Sequence, residues 1–234
     1  MNYDLTKFQN GCKELNIELT EKQYEQFLTY YEMLIEKNKV MNLTAITEFE
    51  EVLDKHFYDS LLPSFSSSIQ GTLCDVGSGA GFPSIPLKIA YPELKIVIIE
   101  PLGKRVTFLK EVVRVLGLEN VECNNARAED YAKVDRECFD VVTARAVANL
   151  RMLSELCIPL VKKGGLFLAM KGSNGLEEDR EAAHALKVLG CTLEKTEERH
   201  LNDGSTRVNL FYRKNRSTPV QYPRQFAKIK KNPL

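Results

Sequence analysis

The order of apolar and polar positions separates a helical first part of the chain from a longer part in which short apolar runs alternate with helical stretches. Across residues 24–35, apolar residues recur at intervals of three and four, which is typical of one face of an amphipathic helix. Thr20 and Gln23 fit a capping box at the start of this helix, which we expect to end near Asn38. A further helix is predicted over residues 48–62.

Seven short apolar runs then predict strands, at residues 72–76, 95–100, 120–124, 139–144, 165–170, 191–197 and 207–212. Helical stretches separate the first five runs and precede the sixth, at residues 83–90, 104–116, 126–131, 149–161 and 176–189. Strands that alternate with helices form a mostly parallel sheet covered on both faces. The last two runs have no helix between them and should form a hairpin. We therefore expect an α/β fold whose seven-stranded, mostly parallel sheet contains one antiparallel strand, with a helical N-terminal extension.

The pattern divides the chain into a helical extension at residues 1–63, an α/β domain at residues 64–213 and a C-terminal tail at residues 214–234. Charge distinguishes the tail. The chain has 32 basic and 32 acidic residues, but no acidic residue follows Asp203, whereas eight basic residues follow Ser205. A basic end attracts polyanions such as nucleic acid. A solvated, frayed tail is the alternative interpretation.

Composition argues against several classes of protein. No apolar run approaches the roughly 18 residues that a membrane helix needs, and the first residues carry no signal-peptide pattern. The six cysteines are scattered, and no two of them have the C-x-x-C spacing of a zinc or iron–sulfur site. We therefore expect a cytoplasmic protein with ordinary buried thiols, no bound metal and no membrane partner.

A glycine-rich turn follows the first predicted strand, with the sequence DVGSGAGFP at residues 75–83. Its G-x-G-x-G spacing differs from the dinucleotide fingerprint G-x-G-x-x-G, because Phe82 stands where the third glycine would allow close packing of helix and strand. Asp75 would repel a pyrophosphate, but it suits the ammonium and sulfonium groups of S-adenosylmethionine. The turn therefore favours a methyl-donor site that includes Asp75, Gly77 and Gly79; a dinucleotide site and a purely structural turn stay open.

Two later positions fit the rest of such a donor. Glu100 ends the second predicted strand, near the spacing at which a carboxylate reaches ribose hydroxyls. Ala128 and Glu129 follow the third strand, where a backbone amide and a carboxylate can bind an adenine edge. A surface carboxylate at Glu100 and a dipole-favoured acid at the start of a helix for Glu129 are the alternatives.

Several further motifs make the chain resemble one known family. They are NLTAI at 42–46, HFYDS at 56–60, GAGFP at 79–83, KR at 104–105, TARAVA at 143–148, TP at 218–219 and YPR at 222–224. This combination resembles the bacterial RsmG (GidB) family of 16S rRNA guanine-N7 methyltransferases, over nearly the whole chain.

The resemblance implies a class I S-adenosylmethionine-dependent methyltransferase with a Rossmann-like fold, whose methyltransferase domain is residues 64–213. It implies methyl transfer to N7 of a guanine in the 530 loop of bacterial 16S rRNA. The implied partner is 16S rRNA or the 30S subunit, with no DNA and no membrane; we expect a monomer. The donor contacts that the resemblance implies are Gly77, Phe82, Ala128, Glu129 and Arg145.

Guanine N7 carries a lone pair and no proton, so direct in-line attack needs no general base and no covalent enzyme intermediate. Alignment of the reacting atoms is then the main catalytic task. Candidate positioning residues are Arg145 and Asn42, whereas His56 is expected to be a capping or packed residue more often than a functional one. Candidate RNA-binding residues share a positive charge: Lys171, Arg207, Arg216, Arg224, Lys228, Lys230 and Lys231.

Three other functions stay open from the sequence. A class I methyltransferase can act on a protein or a small molecule, although the basic end favours RNA. A ribosome-assembly factor with a vestigial donor pocket is a second alternative, and a dehydrogenase is the most distant one.

Overall fold

The apolar runs form one seven-stranded sheet in a computed structural model that describes residues 3–63 and 71–234. The strands are β1 (Thr72–Val76), β2 (Lys95–Ile99), β3 (Val121–Asn124), β4 (Phe139–Arg145), β5 (Val161–Lys171), β6 (Cys191–His200) and β7 (Thr206–Lys214). Their order is β3-β2-β1-β4-β5-β7-β6, and among these described strands β7 alone runs in the direction opposite to the other six. This confirms the expected fold, including the β6–β7 hairpin. The expected boundary between residues 63 and 64 falls at the start of residues 64–70, which lie outside the described residues.

The strand order places a topological switch between β1 and β4. From β1 the chain first adds β2 and β3 on one side, and it then returns to add β4 on the other side. Asp75 of β1 pairs in register with Thr143 of β4, so the residues that follow both strands flank one crevice. Ligands of open α/β sheets bind in such a crevice, beyond the carboxyl ends of the strands.

Ten α-helices cover the two faces of the sheet in the described part of the chain. They are α1 (Thr6–Glu14), α2 (Glu21–Met41), α3 (Phe49–Val52), α4 (Asp59–Leu61), α5 (Ser84–Ala90), α6 (Gly103–Val115), α7 (Ala128–Tyr131), α8 (Leu150–Cys157), α9 (Gly175–Leu189) and α10 (Phe226–Lys231). Helices α1–α6 contribute to the core on one face, and α7–α10 to the core on the other. No helix among residues 3–63 and 71–234 is long and apolar enough to cross a membrane.

The N-terminal extension packs directly on the glycine-rich turn. The capping box at Thr20 and Gln23 is present, as expected, and α2 continues to Met41, three residues beyond the expected end. The buried hydroxyl of Tyr30 donates to the carbonyl of Ala80 at 2.7 Å, which ties α2 to the turn. Helix α1 was not expected, because its sequence is mostly polar.

The single helix expected over residues 48–62 has three parts in the structure. Between α3 and α4, the turns at Leu53–Tyr58 are π-helical, with one extra residue per hydrogen-bonded ring. Such insertions are frequent at functional sites. Here the π-helical segment contains His56 and leads directly into Asp59, two residues whose side chains reach the end of β4.

The C-terminal residues form part of the core, which argues against the alternative interpretation of a solvated, frayed tail. Ile229 of α10 is fully buried among the side chains of the α7–α10 face. Arg224 donates to both carboxylate oxygens of Glu155, at 2.8 and 2.6 Å, and Glu155 is fully buried in α8. The segment therefore contributes to stability, and its exposed lysines are presented by a packed helix.

Replacing Arg224 with alanine should destabilise the fold by about 3–5 kcal/mol, because it leaves the Glu155 carboxylate buried without its cation. Urea unfolding followed by circular dichroism measures this loss. The double variant Arg224→Met with Glu155→Leu should lose less, since it removes the buried charge as well. Lys7→Ala is the matched control: it breaks the exposed Lys7–Glu50 pair and should cost at most about 1 kcal/mol. An Arg224→Ala variant as stable as that control would contradict the structural role.

Candidate active site

The glycine-rich turn begins where β1 ends, at the switch between β1 and β4. Gly77 has a φ of +73°, and its N–H donates to the carbonyl of Ile99 at 2.8 Å. A Cβ atom at Gly77 would lie 2.7 Å from Cγ2 of Val147, in the loop after β4. Gly81, with a φ of +114°, is enclosed as tightly, by Ile85 and the hydroxyl of Tyr30. The backbone path therefore requires glycine at both positions.

Asp75 lies beneath this turn and is fully buried. One carboxylate oxygen accepts a long hydrogen bond of 3.4 Å from the N–H of Ser84, and the other has no hydrogen-bond partner in the part of the chain that the structure describes. Burial raises the pKa of Asp75 to about 6, only partly offset by hydrogen bonds from Ser84 and Ser78. A buried carboxylate with a free oxygen fits a cationic ligand in the crevice.

Glu100 follows β2 and faces the same turn. One of its oxygens accepts the N–H of Gly79 at 3.0 Å, and the other accepts the N–H of Leu102 at 3.0 Å. The side chain is almost fully buried. Each oxygen keeps further lone pairs for an incoming hydroxyl.

Ala128 and Glu129 occupy the first turn of α7, beyond the carboxyl end of β3, and both are buried. The preceding residue, Arg127, places its guanidinium 5.8 Å from the ring centroid of Phe226 in α10. The C-terminal helix therefore adjoins the end of the crevice that these two residues form.

Arg145 ends β4 and joins the sheet to the N-terminal extension. Its guanidinium donates to Asp59 at 2.8 Å and to the carbonyl of Lys55 at 3.2 Å, and it lies 3.2 Å from Nδ1 of His56. It also lies over the ring of Phe82, 5.0 Å from the centroid. Four groups from two parts of the chain thus hold one largely buried cation in place.

His56 connects Arg145 with the loop that follows α2. Its ring stacks on Phe82 with centroids 4.4 Å apart, and its Nε2 lies 2.7 Å from the hydroxyl of Thr44. Burial and the charge of Arg145 lower the pKa of His56 to about 3. The imidazole is therefore neutral at physiological pH and acts as a fixed hydrogen-bonding partner. Phe82 is itself buried against Tyr30 and His56.

Asn42 and Thr44 occupy different environments although they share one motif. Asn42 is exposed and ends α2 in a left-handed conformation, with a φ of +50°. Thr44 contacts His56, so the hydroxyl two residues later is the one that joins the Arg145 cluster. The sequence signal for it was its place in the NLTAI motif.

A cavity of about 320 Å³ opens beside Arg145, at the ends of β4 and β5. It brings together two of the expected RNA-binding residues, Lys171 and Arg207, with Asp59 and Asn209. Asp59 accepts the hydrogen bond from Arg145 and also forms an ion pair with Arg207, whose Nε lies 3.1 Å from Oδ1. Lys171 pairs with Glu178 at 2.7 Å. Neither Asp59 nor Asn209 was singled out from the sequence.

The remaining expected RNA-binding residues lie apart from this cavity. Arg224 is held by Glu155, and Arg216 donates to the carbonyl of Lys187. The three cations of the C-terminal helix are exposed on its surface: Lys228, Lys230 and Lys231.

Four buried polar side-chain atoms have no hydrogen-bond partner among the described residues: Asp75 Oδ1, Asn124 Nδ2, Thr143 Oγ1 and Asn209 Nδ2. Asn124 ends β3, and Asp75 and Thr143 lie within two residues of the ends of β1 and β4. Asn209 pairs in register with Met170, next to the end of β5. Unsatisfied buried groups are rare and costly, so their concentration along one sheet edge indicates a site built to bind polar ligands.

Comparison with known sequences relates the chain to one family. The model of the GidB family, described as rRNA small subunit methyltransferase G, matches residues 23–207. A protein from Staphylococcus epidermidis described as ribosomal RNA small subunit methyltransferase G is 52% identical over 225 residues, which cover 94% of each chain. A protein of the same description from Staphylococcus aureus is 51% identical over 226 residues, 95% of each chain.

Two solved structures have a similar fold at much lower sequence identity. A variant of the 16S rRNA (adenine(1408)-N(1))-methyltransferase from Catenulisporales acidiphilia has a TM-score of 0.50 at 18% identity, covering 68% of this chain and 89% of that one. TYW2 from Pyrococcus horikoshii, crystallised with MeSAdo, has a TM-score of 0.50 at 19% identity, covering 61% and 56%. These similarities concern the fold alone, which is that of class I methyltransferases.

Proposed function

Because this chain belongs to the GidB family of small-subunit rRNA methyltransferases, we propose that it transfers the methyl group of S-adenosyl-L-methionine to N7 of a guanine in the 530 loop of 16S rRNA. Family membership makes it an S-adenosylmethionine-dependent methyltransferase of 16S rRNA. The choice of atom, the loop and the residues that do the work are the finer parts of the proposal.

The unpartnered, buried oxygen of Asp75 is the observation that supports the donor site most strongly. It lies beneath a turn whose glycines permit close approach of a ligand, at the switch between β1 and β4. We assign the donor site to residues that line this crevice or adjoin it: Asp75, Gly77, Gly79, Phe82, Glu100, Ala128, Glu129 and Arg145. When bound there, S-adenosyl-L-methionine supplies an electrophilic methyl group on a sulfonium.

Within this assignment the chain provides binding and orientation. Asp75 balances positive charge, Glu100 offers lone pairs to ribose hydroxyls, and Ala128 with Glu129 receives the adenine. Arg145, fixed by Asp59 and His56, separates the donor crevice from the adjoining cavity and defines where the acceptor base enters.

The acceptor chemistry requires no general base. N7 of guanine carries no proton at neutral pH, and His56, whose pKa is lowered to about 3, stays neutral and hydrogen-bonded. Effective molarity from correct alignment supplies about 7–11 kcal/mol in well-oriented reactions. A protein that holds the methyl donor and the guanine in line is therefore a sufficient catalyst. Transfer is then direct, without a covalent enzyme intermediate.

Binding of the donor should weaken as the pH falls from 7 to 5. Asp75, with a pKa of about 6, loses its charge over this range, and only the ionised form attracts the cationic donor. The ionised fraction at pH 5 is about one tenth, so the apparent dissociation constant should rise about tenfold. Isothermal titration calorimetry at several pH values measures this rise.

Asp75→Asn is the control for this pH dependence, since its affinity should be low and constant across the range. His56 does not titrate in the folded protein above pH 5. Protonation of Asp75 stabilises the free fold, because its folded pKa lies above the ordinary value, so this group does not cause acid unfolding in the window. Equal pH slopes for wild type and Asp75→Asn would refute the role of Asp75.

A methyl-transfer assay tests the function. Labelled donor is supplied with 30S subunits lacking the modification or with naked 16S rRNA, and the methylated base is located by borohydride and aniline cleavage at N7-methylguanosine. Cleavage within the 530 loop supports the proposal. Label on protein or on a small molecule would favour another methyltransferase activity, and no label despite donor binding would favour a non-catalytic assembly factor.

A further inference from the structure

The side chain of Asn209 is buried in β7, and its amide nitrogen has no hydrogen-bond partner within residues 3–63 and 71–234. The residue is 1% exposed and lines the cavity beside Arg145. A buried amide N–H without an acceptor lowers the stability of the fold. A polar group of this kind that borders a cavity points to a ligand that completes its hydrogen bonds.

The charged side chains that line the cavity, unlike the neutral Asn209, already have partners within the protein. Asp59 is shared by Arg145 and Arg207, and Lys171 is held by Glu178 and by the carbonyl of Ala148. Their charges are largely balanced against one another. Asn209 differs from them, because its buried amide nitrogen has no partner among the described residues.

The register of the sheet places Asn209 across the cavity from the donor crevice. Met170 of β5 pairs with Arg145 of β4 on one side and with Asn209 of β7 on the other. Two strand spacings separate Arg145 from Asn209, which is roughly 10 Å. The cavity volume of about 320 Å³ is near the lower limit of small-molecule pockets, about 300 Å³, as is suitable for a single base.

We infer that Asn209 hydrogen-bonds the acceptor guanine and orients it in this cavity. Guanine presents an acceptor, O6, beside a donor, N1–H, on the edge away from the sugar, and a carboxamide offers the complementary N–H and C=O. Single-stranded bases in RNA are commonly bound by such edges. This inference rests on the proposed function, and it adds a residue that determines how the base is seated.

Asn209→Leu tests the inference, because leucine has a similar size and lacks the unpartnered amide. The thermal unfolding midpoint should be unchanged or higher, since an unsatisfied buried group is removed. Affinity for S-adenosylmethionine and for the 30S subunit should also be unchanged, because phosphate contacts dominate RNA affinity. The single-turnover rate of methyl transfer at saturating 30S should fall by about 10- to 30-fold.

Asn215→Leu provides the matched control, since Asn215 is exposed and bonds Thr192 outside the cavity. An Asn209→Leu enzyme that transfers methyl groups as fast as this control would overturn the inference. So would a variant whose rate falls only in proportion to a loss of folded protein, because the residue would then be structural. Asn209→Asp, which keeps the shape but cannot donate to O6, is measured in parallel; wild-type rates in a folded Asn209→Asp enzyme would also overturn it.

Failure of the proposed function is distinguishable from failure of this inference. If wild-type protein itself methylates no rRNA, the proposed function fails whatever Asn209 does. If wild type is active and both Asn209 variants are folded and equally active, only the assignment of Asn209 fails.

Discussion

Replacing Gly77 with alanine should abolish detectable binding of S-adenosylmethionine at ordinary concentrations while leaving the sheet folded. The backbone at Gly77 has a φ of +73°, and an added Cβ would lie 2.7 Å from Val147 Cγ2. The N–H of Gly77 is bonded to Ile99, so the turn cannot relax freely away from Val147. Because the donor fits only the undistorted turn, the backbone strain of about 1–3 kcal/mol opposes donor binding, and it corresponds to a loss of affinity of up to roughly 100-fold.

Gly117→Ala is the matched control for this experiment. Gly117 has a similar φ of +63°, but no atom lies within 4 Å of a Cβ placed there. Calorimetry should therefore give wild-type donor affinity for Gly117→Ala, while both variants keep the circular dichroism of the folded protein. Donor binding by Gly77→Ala as tight as by Gly117→Ala would mean that the turn does not form the donor site.

Replacing Arg145 with lysine should lower the rate of methyl transfer by about 100-fold with little change in global stability. A lysine ammonium cannot contact Asp59, the Lys55 carbonyl and His56 at once, as the planar guanidinium does. The junction between the N-terminal extension and β4 would then be less well fixed. Misplacement of reacting groups by about 1 Å can cost 100-fold in rate.

Single-turnover kinetics with saturating donor and 30S subunits measures the effect of Arg145→Lys on the transfer step. Arg213→Lys is a suitable control, because Arg213 forms a two-fold hydrogen-bonded pair with Glu194 on the exposed side of the hairpin. Equal rates for the two variants would show that the geometry around Arg145 has no part in the reaction.

The strands of the sheet could be predicted from the sequence because buried strands consist mostly of apolar residues. Residues 96–99 of β2 are apolar at every position, as expected for a strand covered on both faces. The glycine-rich turn could also be predicted, since Gly77 and Gly81 meet conformational demands set within a few residues.

The unpredicted parts depend on partners that are distant in sequence. Arg224 resembles a free basic residue until Glu155, 69 positions earlier, is placed beside it. Similarly, Asn209 looks like the solvent-facing position of an alternating strand, yet it lines a cavity that is also bordered by residues of the N-terminal extension. The π-helical segment has an ordinary helical sequence, so its geometry could not be predicted. It precedes Asp59, whose partner Arg145 lies 86 positions later in the chain.

A crystal structure of the protein with S-adenosylhomocysteine tests the donor site most directly. We expect the amino-acid end to lie at the glycine-rich turn over Asp75, the ribose at Glu100 and the adenine at Ala128 and Glu129. Density for the ligand at another place, or a crevice from which it is excluded at saturating concentration, would show that these residues do not form the donor site.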